Sequence, residues 1–88
     1  NMLQWFQRVR RWMGETPERE NARRLYIALV ERARNPFFFM QAGVEDSLDG
    51  RFELIVIHLY MVLSALRETH PEFCQIISEV FFEDMDRN

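Results

Sequence analysis

Apolar residues recur along this chain at helical spacings of three and four, in four stretches separated by turn chemistry. Met2, Trp5, Phe6, Val9, Trp12 and Met13 share one face of a helix expected over Met2–Met13, and Gln4, Gln7, Arg8, Arg10 and Arg11 fill the other. Gly14 ends it. Thr16-Pro17 then supplies a capping hydroxyl followed by proline at the first helical position, which opens a second helix over Pro17–Arg34. Ala22, Leu25, Tyr26, Leu29, Val30 and Ala33 form its apolar face, and Glu20 and Arg24 stand one turn apart as a favourable ion pair. Asn35-Pro36 breaks this helix, because a residue before proline is pushed out of the helical region.

Phe37, Phe38, Phe39 and Met40 make a dense apolar knot, expected to be one helical turn closed by Gly43 in the left-handed region. Asp46 or Ser47 caps the next helix, with Asp49 three residues after Asp46 as in a capping box. That third helix, over Leu48–Glu68, is apolar nearly all round, and a helix without a polar face is normally the buried, central one. Ile55-Val56-Ile57 also permits a strand, but the apolar pattern persists for longer than a strand usually runs. Pro71 opens a fourth helix striped with Phe73, Ile76, Ile77, Val80 and Phe81. The expected fold is all-α: a compact bundle of about four helices plus a short helical turn, around a long central apolar helix. Residues 1–14 form an amphipathic N-terminal segment, and 15–88 form the helical domain.

The composition agrees. A chain of 88 residues holds one domain, and 48% hydrophobic and 14% aromatic residues exclude disorder. One cysteine, Cys74, excludes an intrachain disulfide and a metal knuckle. The most apolar stretch, 52–66, is interrupted by Glu53, His58 and Ser64 and is too short to cross a membrane. Every basic side chain except the two histidines is arginine, and charge is unevenly spread. Residues 1–34 carry eight Arg against four Glu, a net of +4; residues 35–88 carry three Arg against ten acids, a net of −7. An acidic chain of this kind does not fit a nucleic-acid module.

Catalytic chemistry finds no footing. His58 has only apolar neighbours on its helical face, so it is expected to be a core histidine bonded to a nearby group. His70 lies in a turn. The three glycines form no phosphate loop, calcium-loop spacing is absent, and Cys74 has no triad partner in register. No catalytic residue, metal or cofactor is expected. Interaction residues are. Phe37, Phe38 and Phe39 cannot all point inward from one turn, so they either plug the core or leave an aromatic exposed. Arg51, beside Asp49, is expected to pair with an acid, the Glu83, Asp84 and Asp86 cluster being one choice. Asp84 continues the apolar stripe of the fourth helix, where a carboxylate must be paired or lie at the rim. Trp5, Phe6 and Trp12 opposite Arg8, Arg10 and Arg11 fit a helix lying in a membrane interface; the alternative is that the same face packs on the bundle.

Three segments resemble the ubiquinol–cytochrome c chaperone family. LYIALVERARNPFFF (25–39) is similar to a helix ending in a proline break and aromatics. GVEDSLDGRFELIVIHLYMVLSALR (43–67) is similar to a turn, Asp-Gly-Arg-Phe and a long apolar helix. FFEDMDRN (81–88) is similar to a Phe-x-Asp-Met-Asp-x-Asn motif. The resemblance implies a non-enzymatic assembly chaperone that binds newly made cytochrome b and assists assembly of the cytochrome bc1 complex, alongside a second assembly factor. The family's domain continues past the last motif, so the chain is expected to be shortened at its C-terminus. The composition of the N-terminus is not that of a transit peptide. A bacterial member acting in the cytoplasm, peripheral to the inner membrane, is expected, or the mitochondrial inner membrane in a eukaryote. A helical adaptor or oligomerisation module with no respiratory role is the alternative.

Overall fold

The computed structural model describes Met2, Gln4, Trp5 and residues 16–87, and all of its regular structure there is helical. The helix expected over Met2–Met13 lies outside the described residues apart from Met2, Gln4 and Trp5, which are helical and exposed. Phe6, Arg8, Arg10, Arg11 and Trp12 all lie outside them.

Helix α1 spans Pro17–Ala33. The Thr16 hydroxyl accepts from the Arg19 N–H at 3.1 Å, Pro17 takes the first position, and Glu18 and Glu20 oppose the positive end of the helix dipole. Arg24 donates to Glu20 at 2.8 Å across one turn. Asn35 then turns the chain: its side-chain oxygen accepts from the Phe37 N–H at 2.9 Å, and α2, Phe37–Met40, follows as a single turn. Gly43 closes this reversal at φ +77°, with the Val44 N–H donating to the Phe38 carbonyl. Helix α3 spans Leu48–Leu66 and α4 spans Pro71–Asp86, the Ile55-Val56-Ile57 run being helical.

The cap of α3 decides between the two expected candidates. Ser47 is the cap, and its hydroxyl accepts from the Gly50 N–H at 3.1 Å. The capping box from Asp46 to Asp49 is not formed, because Asp46 is drawn into an ion pair with Arg51 instead.

The core is shared by Ala22, Tyr26 and Leu29 of α1, Leu59 of α3, and Ile77, Val80 and Phe81 of α4. Helix α1 packs most extensively on α4 and next on α3, whereas α3 and α4 touch each other far less. The central helix is therefore α1. This corrects the expectation of a buried, central α3, whose buried residues are Gly50, Leu54 and Leu59 alone. Among the described residues, α3 is packed by α1 along one side and met only lightly by α4.

Candidate functional site

Since α3 is packed on one side only, its apolar sequence must surface on the other. Ile55, Val62, Leu63 and Leu66 are half-buried beside Leu54 and Leu59. On the opposite arc, Val56 is 39% exposed, Ile57 53%, Tyr60 68% and Met61 62%. Phe52, Val56 and Tyr60 stand one turn apart in a row, and Ile57 and Met61 form the row beside it. Together they cover about 14 Å of helix. Glu53 closes one end; Ser64 and Arg67 close the other. The patch reaches α4 through aromatic contacts. Phe52 lies 6.2 Å from Phe81, and Phe81 meets Phe82 in an edge-to-face contact at 5.4 Å, with Phe82 exposed. Scattered surface apolars are ordinary; a continuous row on one helix face marks a binding surface.

The seam between α1 and α4 holds that surface in place. Arg19 bridges Glu79, at 3.3 Å, and Glu83 of α4. The Glu83 hydrogen bond chiefly holds the Arg19 guanidinium charged, raising its pKa further. Seven residues on, the Tyr26 hydroxyl donates to Asp84 Oδ2 at 2.6 Å. Burial of the phenol raises its pKa well above 10.0, and the hydrogen bond to Asp84 and that carboxylate's negative charge add to the rise. Tyr26 also meets Phe81 edge-to-face at 6.3 Å, so the α1–α4 seam and the aromatic cluster share a residue. Of the acidic tail, Glu83 and Asp84 are engaged by α1, and Asp86 is exposed.

Arg51 does not reach that tail. Its guanidinium pairs with Asp46, Nη2 at 2.8 Å and Nε at 2.9 Å from Oδ1. The expected tie from the start of α3 to the end of α4 is replaced by a local clasp, because Asp46 lies just before the cap and competes at short range. Asp49 is exposed in the first turn of α3. Of the three phenylalanines of α2, Phe37 is exposed and Phe38 and Phe39 are half-buried. Phe38 meets the His58 ring edge-to-face at 5.4 Å, and His58 Nδ1 lies 2.7 Å from the Leu54 carbonyl, an acceptor one turn back. The histidine thus anchors the aromatic turn to α3. Among the described residues, no group of three or more His, Cys, Asp or Glu side chains is placed to hold a metal.

A family profile described as ubiquinol-cytochrome C chaperone matches residues 40–88, which hold α3, α4, the exposed rows and Asp84. The chain belongs to the ubiquinol-cytochrome C chaperone family. Of the three segments that resembled this family, 43–67 and 81–88 fall inside the match and 25–39 lies outside it. No curated protein and no solved structure matches the chain. Membership in a chaperone family implies a protein client and a non-catalytic role. Sequence reasoning missed Phe52, Val56, Ile57, Tyr60, Met61 and Phe82 as surface residues. The apolar pattern alone could not show this, because it pointed to burial on every side and the number of packing neighbours is not encoded in it.

Proposed function

We propose that this ubiquinol-cytochrome C chaperone family member binds newly made cytochrome b and assists its entry into the bc1 complex, taking an apolar segment of the client on the outward face of α3. The exposed row Phe52, Val56, Tyr60 with Ile57 and Met61 carries this reading. Its middle contains no charge, so a polar partner would lose hydration there without compensation, whereas an apolar helix of a membrane protein in transit would bury its own surface against it. Such a segment docks by side chains spaced three and four apart, which match the two rows. Phe82 extends the contact, and the Arg19 and Tyr26 bonds to α4 keep it rigid. The protein works beside the membrane; no described helix is long and apolar enough to cross one.

The test replaces Ile57 and Met61 together by Glu. Both side chains are mostly exposed, so helicity and melting temperature are expected to hold. Capture of cytochrome b from detergent-solubilised membranes is expected to be lost. Undiminished capture by the double variant would refute the α3 surface. Recovery of soluble proteins alone by the unaltered chain would favour the adaptor over the chaperone.

A further inference from the structure

The chain reversal between α1 and α3 encloses a feature that the chaperone surface does not use. Arg34, Pro36, Phe39, Met40, Asp46 and Arg51 line an open cleft of about 400 Å³. Its polar wall is the Arg34 and Arg51 guanidinium groups and the Asp46 carboxylate. Arg51 is held by Asp46, whose charge it offsets. The Arg34 side chain has no partner among the described residues, so the cleft carries an uncompensated positive charge. Pro36, Phe39 and Met40 supply an apolar wall. Around the same reversal three large apolar side chains stand out in solvent: Phe37, Met40 at 81% exposure and Leu48 at 84%.

A soluble anion would use the arginines but not these apolar side chains. An apolar peptide would leave the Arg34 charge desolvated and unpaired. An amphiphile with a phosphate beside hydrocarbon satisfies both, and guanidinium is the side chain best shaped to hold phosphate. We propose that this cleft binds the phosphate of an anionic phospholipid at a bilayer surface, while Phe37, Met40 and Leu48 enter the boundary between headgroups and acyl chains. Glu45 and Asp49 lie exposed on the same stretch and repel anionic surfaces, so the contact is confined to the cleft and sensitive to salt. The site lies at the start of α3 and uses neither the outward face of that helix nor the N-terminal arginines.

Flotation of the full chain with phosphatidylcholine vesicles, with and without phosphatidylglycerol, tests this. Binding is expected only with phosphatidylglycerol and weakens as salt rises. Arg34→Ala lowers the partition coefficient about fivefold, the usual effect of one arginine at an anionic surface. Met40→Asp lowers it further. Arg24→Ala, which removes the same charge from an arginine paired with Glu20 on α1, leaves binding unchanged. All three side chains are exposed, and circular dichroism verifies that each variant is folded. Absence of binding overturns the proposal. So does binding indifferent to Arg34→Ala and Met40→Asp, which would place the contact elsewhere, and so does an equal loss in Arg24→Ala, which would reduce it to net charge.

Discussion

Gly50 is buried in the first turn of α3, where its N–H meets the Ser47 cap. In an ordinary helix interior, alanine in place of glycine stabilises by about 1 kcal/mol. Here a Cβ on Gly50 would run into the backbone carbonyl of Glu45, so Gly50→Ala is expected to destabilise, and urea denaturation checks the sign. The Asp-Gly-Arg-Phe run was visible in the sequence, but the reason for its glycine was not, since it lies in the path of the preceding loop. Tyr26 gives a second prediction. Its hydrogen bond to a carboxylate is worth about 1.5–3 kcal/mol, so Tyr26→Phe lowers stability at neutral pH by that order. The phenol's pKa is raised on folding from 10.0, so the folded state holds the proton more tightly. That contribution is complete below pH 10 and fades as pH rises beyond it. Denaturation curves above pH 10 should therefore fall more steeply for the unaltered protein than for Tyr26→Phe.

Among the elements, the boundaries were the most legible part. Thr16-Pro17, Asn35-Pro36 and Pro71 each impose a local backbone constraint that needs no distant partner, and each stands where an element begins or ends, while Gly43 turns the loop between α2 and α3. The cap of α3 was legible only as a choice between Asp46 and Ser47. Ser47→Ala should cost about 1 kcal/mol through the lost cap. Asp46→Ala should cost less, because the Asp46–Arg51 pair is exposed on both sides and screened by water. Thermal melts of the two variants would show the order, and a greater loss in Asp46→Ala would return the capping role to Asp46. The long-range partners of the charged residues were not legible. Arg19 meets Glu79 and Glu83, about sixty positions away, only because α1 and α4 lie side by side, and no spacing in the sequence encodes that.

At the scale of the molecule, the long helices α1, α3 and α4 of the described residues share a core at whose centre Ile77 has no solvent exposure. Ile77→Ala removes a side chain with no room to relax and is expected to cost about 2–5 kcal/mol, a large part of the stability of a domain this small. A calorimetric or denaturant transition should shift accordingly. Ile57→Ala, on the outward face of α3, should leave it nearly unmoved, and a comparable loss there would mean that the face is covered.

The sequence by itself determined that the described residues are all-helical, nearly where the helices from Pro17 onward start and stop, and, through the 43–67 and 81–88 segments, its family. Those properties follow from backbone constraints and periodicity, which act over a few residues. Only the tertiary structure decided which helix is central. Hydrophobicity says how much surface a helix would gain by burying, but not how many neighbours it has. Among the described residues α1 packs on both α3 and α4 while those two barely meet, so one face of the most apolar helix stays exposed and becomes the candidate binding surface.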